Sequence, residues 1–159
     1  MSKSVVTNIV IAGLGGQGVL KASDIVADVV FGSGLDVKKS EIHGMSQRGG
    51  SVSSDIRFGE HIFSPMVPPG EADYLVVLAP DQIEVNINML KSCGKLIEPS
   101  MVDEEKLSNK KSANVALLGI LSKYLQFSDE EWIAAMKKNL PEKLHDVNIE
   151  AFQMGKSAA

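Results

Sequence analysis

Hydrophobic positions in the first half of the chain change repeatedly between short apolar runs and a helical spacing. The run Asn8–Ala12 is apolar after its first residue, and beyond a glycine-rich turn the apolar residues recur every three or four positions. This pattern predicts a strand at residues 7–12 and a helix at 17–32. Leu75–Ala79 is an uninterrupted apolar run of the kind found in buried parallel strands.

Two further strands are predicted between the first helix and this buried run. Residues 35–42 form one of them, and residues 51–58 form another that pairs with 61–64 through a short turn at Phe58-Gly59-Glu60. The sheet should therefore contain a short antiparallel hairpin.

Capping residues give the boundaries predicted for the later elements. Asp81 is the predicted N-cap of a helix that runs through Leu90, and Gly94 opens the strand that contains Lys95-Leu96-Ile97. The rest of the chain is predicted to be helical, with an apolar helix at Asn114–Leu125, a helix at Trp132–Leu140 that begins with the capping box Ser128-Asp129-Glu130-Glu131, and a last short helix capped by Asn148 and ending near Gly155.

The alternation of strands and helices predicts an α/β fold of the Rossmann-like, three-layer α/β/α kind. Its sheet is mostly parallel, with the short hairpin as an antiparallel insertion and a helical C-terminal part. A chain of 159 residues, 44% of them hydrophobic, is long enough for one core and too short for two ordinary domains. We therefore predict a single domain over residues 1–159.

Composition and charge exclude several classes of function. A net charge of -4 argues against nucleic-acid binding, which requires a basic surface. No apolar run approaches the roughly 20 residues of a membrane span, and residues 1–4 show no signal-peptide pattern, so a cytoplasmic location is expected. Cys93 is the only cysteine, so this chain cannot supply the thiolates of an iron–sulfur cluster. The lysine pairs Lys38-Lys39 and Lys110-Lys111 are predicted to be solvated.

The first glycine-rich stretch, Gly13-Leu14-Gly15-Gly16-Gln17-Gly18, lies between a predicted strand and a predicted helix. Glycines in this position allow a tight turn, close approach of an anionic ligand and close packing of the helix on the strand. Free N–H groups at the start of the helix favour a phosphate or carboxylate. Asp36 and Glu41 both lie near the distance of a ribose-binding acid, so they do not decide whether a nucleotide binds. A tight junction that binds no ligand remains an equal alternative.

The second stretch runs from His43 to Val52 and places Ser46, Gln47 and Arg48 among four glycines, which include Gly49 and Gly50. Arg48 is suited to a bidentate contact with a carboxylate or phosphate, while its two polar neighbours offer neutral hydrogen bonds. The alternative is an arginine that holds the loop by binding local carbonyl groups. His43 is a lone histidine without metal-ligand spacing, so we predict no metal site.

The sequences GLGGQG and EIHGMSQRGGSV, followed by Asp55–Gly59 and Ile62–Pro65, resemble the small gamma-type subunit or domain of 2-oxoacid:ferredoxin oxidoreductases. The form HGMSQRGG is most similar to the small (beta) subunit of indolepyruvate ferredoxin oxidoreductases. Gly70–Asp73 and Asn148–Phe152 fit the resemblance too, which runs from Asn8 to about Gly155.

The resemblance implies a complex that oxidatively decarboxylates a 2-oxoacid to an acyl-CoA and passes the electrons to ferredoxin. Thiamine diphosphate, Mg²⁺ and [4Fe–4S] clusters are implied for a large alpha subunit, with no cofactor held by this chain alone. No catalytic constellation is recognisable, so the isolated chain is expected to be inactive. As a hypothesis, this chain helps form the coenzyme A and acyl-transfer site, through backbone contacts of Gly13, Gly15, Gly16, Gln17 and Gly18 and a loop formed by Ser46, Gln47, Arg48, Gly49 and Gly50.

Three alternatives stay open from the sequence. Both loops could serve only as an interface with the large subunit. Within the family, a 2-oxoglutarate or branched-chain 2-oxoacid enzyme is the second choice of substrate type. In another class, the chain is a stand-alone Rossmann-like nucleotide-binding protein. The apolar segment Val115–Leu125 could also drive formation of a homodimer by the isolated chain.

Overall fold

A computed structural model describes residues 5–43 and 50–158. In these two ranges the strands are β1 (Thr7–Leu14), β2 (Asp36–His43), β3 (Ser51–Gly59), β4 (Ala72–Val77) and β5 (Leu90–Ile97). The α-helices are α1 (Val19–Gly32), α2 (Ile83–Asn86), α3 (Ala113–Ser122), α4 (Asp129–Asn139) and α5 (His145–Ser157). None of these helices is long and apolar enough to cross a membrane.

The five strands form one sheet in the order β2-β3-β1-β4-β5. β1, β4 and β5 are parallel neighbours, whereas β3 runs antiparallel to both β1 and β2. Four strands therefore point the same way, and the predicted Rossmann-like, mostly parallel α/β/α fold is confirmed. The carboxyl ends of these four strands lie at one edge of the sheet.

The two faces of the sheet are covered unequally. α1, α3, α4 and α5 pack on one face, over side chains such as Ile9 and Ile11, and form the larger core. On the other face, Val10, Leu75 and Val77 are covered by the segment 60–71 and by the short helical segment 80–89. The second helical layer is therefore thin.

The apolar helix α3 lies inside this larger core. Asn114 to Ser122 are all buried, because α3 packs against both the sheet and α5. The apolar segment that the sequence offered for self-association is thus buried within the chain as far as Ser122. Formation of a homodimer stays a prediction without this support.

The predicted pairing of 51–58 with 61–64 is wrong. β3 already forms ladders with β1 on one side and β2 on the other, with Ile56 opposite Ile9 and Lys39. Both backbone edges of β3 are therefore occupied, and residues 61–64 form no strand. The backbone N–H of Ile62 instead donates to the Asp36 carboxylate at 2.8 Å.

The predicted helix from Asp81 through Leu90 is much shorter in the structure. It consists of a 3-10 turn at Pro80–Gln82, the four residues of α2 and a second 3-10 turn at Ile87–Met89. Leu90 is the first residue of β5, which starts four residues before Gly94 because Leu90 pairs with Ala72 of β4. Pairing between strands thus determined a boundary that local capping signals misplaced.

The capping signals of the last two helices had different outcomes. The capping box of α4 is confirmed, since Ser128 accepts from the Glu131 N–H and the Glu131 carboxylate accepts from the Ser128 N–H. Asn148, predicted as a cap, lies inside α5 and donates to the Leu144 carbonyl at 2.8 Å. α5 begins earlier, at His145, because it continues from the 3-10 turn at Glu142–Leu144.

A buried carboxylate lies on the thinly covered face of the sheet. Asp55 is only 2% exposed, and it accepts the backbone N–H of Val67 at 2.9 Å. Burial raises the pKa of the Asp55 carboxyl above its ordinary value of 3.8, although the Val67 N–H acts in the opposite direction. This carboxylate ties the segment 60–71 to the sheet.

We expect the contribution of Asp55 to the stability of the folded state to fall as the pH rises above the ordinary carboxyl pKa of 3.8. A carboxyl with a raised pKa binds its proton more readily when folded, so its contribution to stability falls between the unfolded and the folded pKa. Urea unfolding at pH 3.8 and at neutral pH measures the difference in unfolding free energy between the wild type and Asp55→Asn. That difference should shift in favour of the wild type at the lower pH, and a constant difference would contradict the prediction.

Candidate functional site

The first glycine-rich stretch forms the turn between β1 and α1, and it is held by a side chain. The amide oxygen of Gln17 accepts the Leu14 N–H at 2.7 Å, and the Gln17 N–H returns to the Leu14 carbonyl at 3.1 Å. The Gln17 amide nitrogen also approaches the carbonyl of Leu78, after β4, at 3.4 Å. A Cβ on Gly13 would lie 2.8 Å from the Gln17 oxygen, so the turn has no room for a side chain there. Gln17 therefore has a structural role that the sequence did not indicate.

Gly18 forms the junction between the turn and α1. It is the N-cap residue of α1 in the left-handed conformation, with φ +83°. Its carbonyl accepts the Asn114 amide at 3.1 Å, and a Cβ would approach that nitrogen to 2.5 Å. The first turn of α1 contains no acidic residue, and no side chain in the described ranges caps it. The start of α1 therefore favours an anion.

The second glycine-rich stretch joins β2 to β3 beside this turn. Ser46, Gln47, Arg48 and Gly49 lie outside the described residues, but the ends of the loop are defined by the pairing of His43 with Val52. The Gly50 carbonyl accepts the Gly15 N–H at 2.8 Å. The two stretches predicted to act together therefore meet at the strand carboxyl edge.

A shallow depression lies between the glycine turn and the ends of β2 and β3. Its volume is about 320 Å³. It is lined by backbone of the turn, by the first residues of α1 including Lys21, and by His43 and Val52. We call it the β2-side depression, and three of the predicted site residues, Gly15, Gly16 and Gly18, line it.

A larger cavity opens on the opposite side of the same turn, and we call it the α3-side cavity. It has a volume of about 440 Å³ and lies between the turn, the carboxyl ends of β4 and β5, and the start of α3. Lys110 and Lys111, which the sequence assigned to solvated surface, are exposed but line this cavity. The side chain of Asn109 caps their 3-10 turn, and an asparagine directly before the lysine pair is a signal from which an ordered turn could have been predicted.

The acidic residues considered as ribose ligands are not placed next to the turn. β3 separates β2 from β1, so the carboxylates of β2 are two strands away. Asp36 lies at the opposite end of β2 and accepts the Ile62 N–H. Glu41 accepts from Lys39 at 3.1 Å. These contacts argue against the dinucleotide mode of binding at this turn.

Metal ligands do not cluster in the part of the chain that the structure describes. No group of three or more histidine, cysteine, aspartate and glutamate side chains there could hold an ion. Cys93, the one cysteine of the sequence, is exposed on β5. The start of α1 and the lysine side chains that line the two cavities support anion binding at this edge of the sheet.

A family model described as pyruvate ferredoxin/flavodoxin oxidoreductase matches residues 8–104 and 100–158. The chain belongs to this family. The match includes both glycine-rich stretches, so the resemblance found in the sequence is confirmed. Within the family the chain is of the small-subunit type.

Curated relatives agree with this assignment over nearly the whole chain. The indolepyruvate oxidoreductase subunit IorB of Thermococcus kodakarensis is 34% identical over 96% of this chain and 95% of its own length. The subunit of the same name from Pyrococcus horikoshii is 33% identical with the same coverage of both chains.

Two solved structures of ferredoxin oxidoreductases share the fold of this chain. The gamma subunit of a keto/oxoacid ferredoxin oxidoreductase from Geobacter sulfurreducens superposes with a TM-score of 0.82 at 22% identity, covering 97% of both chains. The 2-oxoglutarate:ferredoxin oxidoreductase of Magnetococcus marinus also gives a TM-score of 0.82, at 18% identity. There the match covers 99% of this chain and 31% of the other.

Proposed function

We propose that this chain is the small subunit of a thiamine-dependent 2-oxoacid:ferredoxin oxidoreductase that acts on indolepyruvate or a related arylpyruvate. The complex decarboxylates the 2-oxoacid oxidatively to an acyl-CoA and transfers the electrons to ferredoxin. The observation that carries this proposal is the identity of 30–34%, over 96% of the chain, to four proteins named indolepyruvate oxidoreductase subunit IorB.

The redox chemistry is assigned to a partner. One cysteine cannot ligate a [4Fe–4S] cluster, which needs four thiolates. We therefore assign thiamine diphosphate, Mg²⁺ and the iron–sulfur clusters to a large alpha subunit, which would also transfer electrons to ferredoxin. The isolated small subunit is then inactive, and assembly with the large subunit completes the enzyme.

The part that we assign to this chain is a share of the coenzyme A site. Coenzyme A carries phosphate groups, and the start of α1 presents backbone N–H groups with no acidic residue in the first turn. The Gly15–Gly50 hydrogen bond holds this helix start beside the loop that contains Arg48. Lys21 adds a cation to the β2-side depression between them. A phosphate bound there would be neutralised from several directions.

An anaerobic affinity purification of the tagged chain from its native cell extract tests the proposed function. We expect a large, iron-containing chain to copurify, and the eluate to reduce a viologen dye only when indolepyruvate and coenzyme A are both present. Parallel assays with 2-oxoglutarate and branched-chain 2-oxoacids identify the preferred substrate. An eluate that contains only this chain and is inactive with every 2-oxoacid would instead support a stand-alone nucleotide-binding protein.

A further inference from the structure

The α3-side cavity has the size and position of a ligand site. Its volume of about 440 Å³ lies within the range of roughly 300–1,000 Å³ that small-molecule sites occupy. After β1 the chain passes to β2 and β3 on one side of the sheet, and β4 and β5 lie on the other. The cavity is next to Leu78 and Pro99, which follow β4 and β5. Ligands of open α/β sheets bind at such a change of direction.

Two ammonium groups at the mouth of this cavity are carried by an ordered turn. The Asn109 side chain accepts the Lys111 N–H at 2.9 Å, and the buried Ser112 hydroxyl donates to the Asn109 carbonyl at 2.5 Å. Neither Lys110 nor Lys111 forms an ion pair with a carboxylate of the described ranges. Both cations are therefore available to a ligand.

Two helix starts add positive potential to the same place. Gly18, before α1, and Asn114, in the first turn of α3, both line the cavity, and a hydrogen bond of 3.1 Å joins them. Neither helix has an acidic residue in its first turn or a side-chain cap from the described residues. The first turn of α4 has three acidic residues and a capping box. No acidic residue in the first turn of α1 or of α3 therefore offsets the positive end of either helix dipole at the cavity.

The remaining lining residues distinguish a nucleotide from a bare anion. Leu78, Pro99 and Leu117 give the cavity an apolar wall suited to a base, and the Glu104 carboxylate can accept a hydroxyl or an exocyclic amine. The lysine pair in the same lining provides the contacts for phosphate. An inorganic phosphate would leave most of this volume unfilled.

We propose that the α3-side cavity binds a phosphate-bearing nucleotide, whose phosphate contacts Lys110 and Lys111. The site lies across the glycine turn from the β2-side depression, and none of the described residues that line it belongs to β2 or β3. The same chemistry is presented by a free nucleotide and by the nucleotide end of coenzyme A. In the second case the inference rests on the proposed function and extends it.

Isothermal titration of the full chain with ADP at low ionic strength tests the site. We expect saturable binding that falls by about tenfold or more in Lys110→Gln/Lys111→Gln, because two charge-assisted contacts are lost. Adenosine, which carries no phosphate, should bind much more weakly than ADP. The matched control is Lys137→Gln/Lys138→Gln, which removes the same charge from an exposed lysine pair at the end of α4. Absence of saturable ADP binding, or equal losses in both double variants, would overturn the proposal.

The two sources of the nucleotide are separated in the assembled enzyme. If the titration shows that ADP binding depends on the lysine pair, the KM for coenzyme A decides between the two sources. A raised apparent KM in Lys110→Gln/Lys111→Gln identifies coenzyme A as the source. An unchanged KM identifies a free nucleotide. Arg48→Ala tests the proposed coenzyme A contact independently, because its loop joins the ends of β2 and β3, where His43 and Val52 line the β2-side depression. The cavity proposal and the proposed function can therefore fail separately.

Discussion

Gly155→Ala is expected to destabilise the protein by about 2–3 kcal/mol, which is a large effect for one methyl group. α3 and α5 cross with their backbones in contact, and a Cβ at Gly155 would lie 1.8 Å from the Ala116 carbonyl oxygen. Because the obstructing atom belongs to the backbone, the two helices must separate. Chemical denaturation followed by circular dichroism gives the unfolding free energy. A change below about 0.5 kcal/mol would contradict this reading of the interface.

Two further variants separate this clash from the general effect of removing glycine. At Gly32, in the last turn of α1, a Cβ would meet no atom within 4 Å, and φ is not positive. Gly32→Ala should therefore be neutral or stabilising by up to about 1 kcal/mol. A Cβ at Gly119 would lie 2.1 Å from the Phe152 carbonyl oxygen across the same crossing. The double variant at 119 and 155 should cost less than the sum of the two single variants, because the first substitution already separates the helices.

The helix crossing also bears on the candidate site. α3 carries Asn114, whose amide holds the Gly18 carbonyl at the start of α1. A shift of α3 away from α5 would therefore displace Asn114 and disturb its hydrogen bond with Gly18 in the glycine turn. In this fold the packing of two C-terminal helices helps to position a turn that is distant in sequence.

Arg48→Ala is expected to raise the apparent KM for coenzyme A of the assembled enzyme about tenfold or more, with kcat near the wild-type value at saturating coenzyme A. The proposed contact is a guanidinium–phosphate pair, and the loss of one charge-assisted contact weakens binding by roughly 1.5–3 kcal/mol. Binding lost equally from ground state and transition state changes KM rather than kcat. Steady-state kinetics with coenzyme A as the varied substrate measure both constants.

The control for Arg48→Ala must separate binding from assembly. Lys137→Ala removes one positive charge from an exposed position on α4 and should leave the coenzyme A dependence unchanged. Size-exclusion chromatography of each variant with the large subunit reports whether the complex forms. Wild-type kinetics of Arg48→Ala in an intact complex would reject the contact. Loss of the complex itself would assign the loop to the subunit interface.

The role of Gln17 illustrates which part of the site the sequence could not supply. The spacing of the glycines predicted a turn between a strand and a helix, and the structure contains it. Gln17 was predicted only as a backbone contact. Its side chain closes the turn onto Leu14 and reaches Leu78, which lies 61 residues further along the chain. A contact between residues so far apart in the sequence depends on the parallel pairing of β1 with β4, and no local pattern encodes it.

The amino-acid sequence by itself determined the local elements and the chemistry that is excluded. Apolar periodicity located β1, α1 and the buried strand β4 to within a few residues, because the spacing of buried side chains follows the geometry of each element. The capping box located the start of α4, and the single cysteine excluded an iron–sulfur cluster in this chain. Two glycine-rich motifs identified the family, which the comparisons confirm.

The tertiary structure alone decided how these elements combine. β3 pairs with β1 and β2 instead of forming the predicted hairpin with 61–64, because the backbone of a strand can pair on only two edges. The tertiary structure moved the start of β5 to Leu90, and it buried the apolar helix α3 against the rest of this chain rather than against a partner. It also brought Lys110 and Lys111 to a cavity beside a glycine turn that lies about ninety residues earlier. Such juxtapositions follow from strand order and helix packing, which are long-range properties that local spacing does not contain.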